Sequence, residues 1–279
     1  MKISIVTPNY NYGHFIKKAI DSVFGQIQDA ASPLCVEHIV IDGGSTDDTI
    51  PILENWEKEV SGMPSNVKDR YSFIWVSEKD KGQTDAINKG LKKAAGDIVC
   101  WLNADEYYLP GSLKIIMDTF KKYPNVDFVY GEPVYVDKSG SMLRIKRDHP
   151  FSYSVLLWYG CYITSCCSFW RHRILDDGFF LDDSYKVTMD YEYWVRIANK
   201  GYKFKFVPAA IGAFLWHDGN VSRVYNDVRI EEEFKVKRLY GKQFFTDVRL
   251  QKKATSRLSS LGRLYRGFLI CIRLLFMPT

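Results

Sequence analysis

Short, nearly continuous apolar runs alternate with stretches whose apolar residues recur every three or four positions through the first half of the chain. Lys2–Thr7, Cys35–Asp42, Tyr71–Ser77, Asp97–Leu102 and Val126–Gly131 are rich in β-branched and aromatic residues and read as buried strands. Between the first two, Phe15, Ala19, Ile20, Val23 and Phe24 fall at helical spacing. After the second, Ser45 or Thr46 is placed to cap a helix whose first turn carries Asp47 and Asp48. Gln83–Ala95 and Ser112–Lys122 give the next two helices, the latter opened by Pro110. Strand–helix alternation of this kind predicts an α/β fold, a mostly parallel sheet with helices on both faces.

The second half changes character. Val134–Val136 and Met142–Lys146 read as a hairpin around Lys138-Ser139-Gly140. An aromatic stretch, Phe151–Tyr162, precedes a strand-like Thr164–Trp170 and a helix over Tyr191–Lys200 closed by Gly201. Lys203–Val207 and Ala210–Trp216 read as two further short strands, and after Ser222 the pattern is helical to the end.

Charge divides the chain in the same place. The net charge is +5, yet from Val221 onward thirteen Lys/Arg stand against five Asp/Glu, which leaves the first 220 residues slightly acidic. A nucleic-acid enzyme would carry its basic surface around the working site, so that class is disfavoured and a tail meeting an anionic surface is favoured. In that tail Leu258, Leu261, Leu264, Tyr265, Phe268, Ile272 and Leu275 recur at helical spacing beside Arg257, Arg263, Arg266 and Arg273. A basic amphipathic helix on a membrane surface is the expectation, and packing on the catalytic domain or on a second copy in a homodimer is the alternative. The amino-terminal apolar run is too short for a signal peptide and no stretch approaches the length of a spanning helix. The six cysteines include no C-x-x-C pair. The expected setting is reducing and cytoplasmic, at the inner face of the cell membrane.

In an open parallel sheet, ligands bind beyond the carboxyl ends of the strands. Those ends carry Thr7-Pro8-Asn9-Tyr10-Asn11, Asp42-Gly43-Gly44-Ser45, Ser77-Glu78-Lys79-Asp80-Lys81-Gly82 and Asn103-Ala104-Asp105-Glu106. No G-x-G-x-x-G follows the first strand and no G-K-[ST] occurs, so the usual phosphate loops are absent. Acids here would bind a diphosphate through a hard cation, for which Asp105 with Glu106 is suited; a helix-flanking acid is the plainer reading of Asp105.

The segments VTPNYN, IDGGSTDDT, EKDKGQTDAINKG and GDIVCWLNADEYYLPGSL, continued by CCSFWRHR, MDYEYWVRIANKGYKFKFVP and FLWHDGNVS, closely resemble family 2 glycosyltransferases of the GT-A fold over about residues 1–222. The resemblance implies a nucleotide-binding half over 1–104 and a donor-sugar and acceptor half over 105–222, followed by the helical tail 223–279. It implies that Asp42 binds the edge of the nucleotide base and that Thr7, Pro8 and Tyr10 lie around base and ribose. Asp85 would lie near the nucleotide. Asn103-Ala104-Asp105 stands where many relatives have Asp-x-Asp, so Asp105 would ligate Mn²⁺ or Mg²⁺ and Asn103 would approach the ribose. Asp190 matches the general base, with Met189 where relatives often carry an acid and Glu192 a candidate second carboxylate; helix capping is the plainer role for Asp190. His217 matches a histidine that contacts diphosphate or metal in some relatives, although a lone His is commonly structural. The run Trp158–Trp170 fits either acceptor surface or aromatic core.

The implied reaction is inverting transfer of a monosaccharide from a UDP-, GDP- or dTDP-sugar to a hydroxyl of a glycan or lipid-linked acceptor. Two other classes compete. A nucleotidylyltransferase needs a glycine- and lysine-bearing first loop that TPNYNYGH lacks. A silent nucleotide-sugar binder would have lost Asp105 or Asp190, and both are present.

Overall fold

The computed structural model describes residues 1–28, 34–217, 220, 224–241 and 264–270. The amino-terminal half follows the expected alternation: β1 (Lys2–Asn9), α1 (Gly13–Gly25), β2 (Cys35–Asp42), α2 (Thr49–Ser61), α3 (Ser65–Lys68), β3 (Tyr71–Ser77), α4 (Gln83–Leu91) and β4 (Ile98–Trp101). It is followed by β5 (Tyr107–Tyr108), α5 (Ser112–Lys122), β6 (Phe128–Val136), β7 (Met142–Ile145), α6 (Tyr153–Tyr159), β8 (Ser168–Arg171), α7 (Arg173–Asp176), α8 (Met189–Asn199), β9 (Phe204–Leu215) and α9 (Asn226–Tyr240).

Among the described residues nine strands form one sheet in the order β3-β2-β1-β4-β8-β6-β9-β5, with β7 paired to β6. β3, β2, β1 and β4 run parallel, and β8 enters antiparallel between β4 and β6. Every residue of β1 from Ile3 to Asn9 is buried, whichever way its side chain points, so both faces of the sheet are covered there. That is why parallel strands read as unbroken apolar runs rather than alternating ones. Asn9 pairs in register with Asp42, and Asp42 with Ser77, which brings three polar strand ends level.

Several boundaries differ from the sequence reading. β6 is one strand where two were expected, and β9 is likewise continuous through Pro208; register shifts between Tyr130 and Pro133 absorb the irregularity. A proline or a glycine in a strand sequence reads as a break, but a bulge accommodates it. α2 begins at Thr49, because Asp47 is not in its first turn: its carboxylate accepts from the N–H groups of Gly13 and Thr49. α4 ends at Leu91 rather than Ala95. The strand-like Thr164–Trp170 is a short 3₁₀ turn followed by β8.

An aromatic cluster seats α8 on the sheet. Trp194 stacks on Trp101 at 5.3 Å and meets Phe128 edge-on at 4.6 Å, and Trp170 closes the group. The run Trp158–Trp170 is thus mostly core, with Trp158, Tyr162, Phe169 and Trp170 all buried. α9 packs on α6 and α8. The described tail residues 264–270 are helical and dock through Arg266, which lies 3.4 Å from the buried Asp148 and 5.1 Å from the Tyr159 ring centre, and through Leu269. Leu264, Tyr265 and Phe268 point outward. Packing on the catalytic domain therefore accounts for one face of this segment, while Leu258, Leu261, Ile272, Leu275, Arg257, Arg263 and Arg273 lie outside the described residues. No helix among the described residues is long and apolar enough to cross a membrane.

Candidate active site

The loops after β1 and β2 are tied to each other before they meet any ligand. Asn11, the one described non-glycine residue with positive φ, donates its N–H to Ser45 Oγ at 2.7 Å and accepts the Thr46 N–H at 2.8 Å. Asn commonly tolerates this conformation, because its short polar side chain bonds locally. Below, Asp42 accepts from Asn9 Nδ2 (2.9 Å), the Gly44 and Ser45 N–H groups (3.1 and 2.9 Å), Ser77 Oγ (2.7 Å) and the Ser45 hydroxyl. Burial alone would raise the Asp42 carboxyl, but the bonds from Ser45, Ser77 and Asn9 outweigh it and hold it below the ordinary value. The lock presents Tyr10 at the surface, 59 % exposed.

Above the strand ends lies a cleft of about 370 Å³, within the usual range for small-ligand sites. Pro8, Tyr10, Asn103, Ala104, Asp105 and Asp190 line it, so six of the expected residues converge. His217 stands just behind: its Nε2 is 3.1 Å from Asp105 Oδ2, and its loop is pinned by Asn220, which accepts the His217 N–H at 2.8 Å.

Besides His217, three expected residues do not line the cleft. Thr7 is fully buried and its hydroxyl bonds His38 at 2.9 Å. Asp42 is likewise fully buried, its oxygens spent on the loop lock. Asp85 turns to the α4 surface, where it accepts the Lys81 N–H at 3.1 Å and pairs with Lys89 at 3.4 Å. In their place the fold supplies Asn9, Tyr12, Asp80 and Gln83. Gln83 donates to Asn103 Oδ1 at 2.7 Å and so orients it. Asp80 accepts the Gly82 N–H at 2.8 Å and lies so close to Gly43 that a Cβ there would stand 2.5 Å from its Oδ2, so a side chain at Gly43 would push the Asp80 carboxylate aside. Asp80 and Gln83 sit in the quoted segment EKDKGQT, where loop polarity was visible but not which side chain turns inward.

On the far wall, α8 begins at Met189 with Thr188 at the capping position, so Asp190 lies inside the first turn and does not cap the helix. Burial pushes its carboxyl up to about 6, against the lowering effect of the Tyr191 N–H bond. A carboxylate poised near neutrality is suited to accept a proton. Glu192 is not its counterpart: it is buried and held by Arg196 at 2.9 Å and the Tyr240 hydroxyl at 2.8 Å. Glu106 is buried beneath Asp105 and accepts the Asn103 N–H at 3.1 Å; burial and the Asp105 charge raise its carboxyl. No group of three His, Cys, Asp or Glu able to hold a metal occurs among the described residues. Asp105 and His217 nevertheless converge as a carboxylate oxygen and an imidazole nitrogen, a donor set that fits Mn²⁺ when phosphate and water complete the sphere. The five described cysteines are free; Cys35 is half-buried and Cys100 lies in the core, while Cys271 is outside the described residues.

The family model for glycosyl transferase family 2 matches residues 4–179. Chondroitin synthase of Escherichia coli is 27 % identical over 237 residues, covering 84 % of this chain and 32 % of that protein. An uncharacterized glycosyltransferase of Nostoc sp. is 26 % identical over 192 residues, 65 % of this chain and 54 % of that one. The chain thus spans about half, or less, of the length of these relatives. Among solved structures, S. aureus TarS in complex with UDP-GlcNAc gives a TM-score of 0.64 at 16 % identity, over 90 % of this chain and 74 % of that one. The Pyrobaculum calidifontis mannosyltransferase PcManGT, in complex with GDP-Man and Mn²⁺, gives 0.57 at 14 % identity, over 100 % and 88 %. The matched segment carries the strand ends that build the cleft, the fold is that of these GT-A enzymes, and the chain belongs to glycosyltransferase family 2.

Proposed function

We propose that this chain transfers a monosaccharide from a nucleotide-diphosphate sugar to a hydroxyl of a glycan or lipid-linked acceptor, with inversion at the anomeric carbon. The observation that carries the reading is that one cleft is lined by the exposed Tyr10 ring together with Asp105 and Asp190. Tyr10 stacks on the nucleotide base, Asn103 held by Gln83 meets the ribose, and Asp80 lines the same cleft. Asp42 and Asp85 act from behind, fixing the loops that carry those contacts, and Thr7 ties β1 to β2 through His38.

Asp105 and His217 would hold the divalent cation, Mn²⁺ being favoured over Mg²⁺ by the imidazole; when bound, the ion neutralises charge developing on the departing diphosphate. Asp190 Oδ2 takes the proton of the acceptor hydroxyl as its oxygen attacks the anomeric carbon. The neighbouring structures bind UDP, UDP-GlcNAc and GDP-Man, which supports a nucleotide-sugar donor from the UDP, GDP or dTDP series. The outward Leu264, Tyr265 and Phe268 beside a basic tail support a membrane-apposed setting for a lipid-linked acceptor.

The test is a thermal-shift panel of nucleotide sugars with and without Mn²⁺, followed by slow hydrolysis of the best binder. A ligand that binds only the native state raises the melting temperature by mass action. Stabilisation by one nucleotide series, with release of its nucleotide, supports the proposal; stabilisation by none overturns it.

A further inference from the structure

The segments that follow β2 and β3 are rich in acids, and the fold spends most of them on itself. Asp42 takes its hydrogen bonds behind the cleft, from Asn9, Gly44, Ser45 and Ser77. Asp47 accepts the Gly13 and Thr49 N–H groups at 2.8 and 3.1 Å. Glu78 and Asp85 both pair with Lys89, at 3.0 and 3.4 Å. Of the acids in these segments, Asp80 is the one that lines the cleft. Its carboxylate is fixed from two sides. Oδ1 accepts the Gly82 N–H at 2.8 Å, at a turn where Gly82 adopts φ +121°. Oδ2 is turned to Gly43: a Cβ there would stand 2.5 Å from that oxygen and 3.3 Å from Cδ2 of Tyr10. The carboxylate oxygen and the edge of the exposed ring thus converge on one point.

A base stacked flat on Tyr10 presents its hydrogen-bonding edge sideways, to whatever stands beside the ring. What stands there is a carboxylate, which accepts hydrogen bonds and donates none. Uracil and thymine offer it the ring N3–H, and guanine offers the ring N1–H. Cytosine and adenine carry a bare lone pair at the corresponding ring nitrogen. An acceptor set against a lone pair leaves both groups unpaired, and a site built to hydrogen-bond an N–H rejects the analogue that lacks it. The geometry therefore sorts bases by the character of one ring nitrogen, through Oδ2 alone, because Oδ1 is engaged with Gly82.

We propose that Asp80 determines base specificity, its Oδ2 accepting the ring N–H of uracil, thymine or guanine and excluding cytosine and adenine. The proposal rests on Tyr10 as the stacking ring of a nucleotide-sugar site. The test is calorimetric titration of the full chain with UDP, GDP, dTDP, CDP and ADP in the presence of Mn²⁺. The best binder among UDP, GDP and dTDP should exceed CDP and ADP by at least about tenfold, the worth of one hydrogen bond to a charged group, and its identity names the base. Asp80→Asn keeps an oxygen for the Gly82 N–H and puts an amide donor in place of Oδ2, so it should erase that preference or reverse it toward CDP or ADP. Asp80→Ala should erase the preference without reversing it. A residue that only holds the turn behaves differently: Asp80→Asn would then bind all five nucleotides as the parent does, and Asp80→Ala would weaken all five alike. Either result overturns the proposal, as does a parent that binds the five equally. Those outcomes leave the donor reading standing, whereas a parent that binds none of the five overturns that reading together with the proposal.

Discussion

The Glu232 carboxylate accepts both the N–H and the hydroxyl of Thr188, at 2.9 and 3.0 Å, across 44 positions of sequence. The same carboxylate accepts the N–H groups of Lys186 and Val187, so a side chain of α9 holds the loop that leads into α8. Asp190 follows two residues later. Glu232→Ala would leave these buried donors unpaired and lower stability by about 1–3 kcal/mol. It should also depress kcat more than it weakens donor binding, and Glu232→Gln, which keeps one acceptor oxygen, should fall between. Urea unfolding and initial rates on the same preparations check both effects.

Asp105 and His217 meet at 3.1 Å. Asp105→Asn should lower the Mn²⁺-dependent part of nucleotide-diphosphate affinity by more than about 100-fold, since even residues that only support a metal ligand cost 10- to 100-fold. Binding without Mn²⁺ should change little. Calorimetry with and without the ion decides it, and identical metal dependence in variant and parent would remove Asp105 from the site.

Asp190→Asn should reduce transfer by about 10²–10⁴ while donor binding is retained. Because burial holds the Asp190 carboxyl near 6, kcat of the parent should fall as pH drops below about 6. A rate independent of pH from 5 to 8 would exclude this group as the base.

The same burial has a stability consequence of opposite sign. The folded protein retains a proton on Asp190 that the unfolded chain, with an ordinary carboxyl near 3.8, has already released. The native state therefore binds more protons between about pH 4 and 6, and stability is lost as pH rises through that window. Asp190→Asn should raise stability at pH 8 by about 1–2 kcal/mol, discounted because the side chain keeps contact with the cleft. It should give no gain at pH 4. Paired melts at the two pH values check it.

Tyr10 is exposed, so Tyr10→Ala should leave the melting temperature nearly unchanged. It should weaken nucleotide binding by about 1–3 kcal/mol, the worth of one stacked base. Unaltered UDP and GDP affinity in the variant would count against Tyr10 as the stacking ring.

Sequence alone determined much of the strand–helix alternation. β2, β3 and α5 occupy the expected residues, because parallel strands buried on both faces and an amphipathic helix opened by Pro110 leave local signatures. The polar strand ends, Asn103 and Asp105 among them, were legible because each follows a recognisable strand, whereas Asp190, on α8, was expected only from the resemblance to family 2 glycosyltransferases. What only the tertiary structure decided is which polar group turns toward the cleft. Asp42 stands at the right strand end, but donors from Asn9, Ser45 and Ser77 consume its oxygens, and those residues meet it only when three strands align. Asp80 enters the cleft and Asp85 leaves it because a tight turn at Gly82 reverses the chain between them. The place of Glu232 depends on α9 packing on α8, a long-range contact with no local pattern, since its carboxylate takes up backbone N–H groups, which every residue but proline carries.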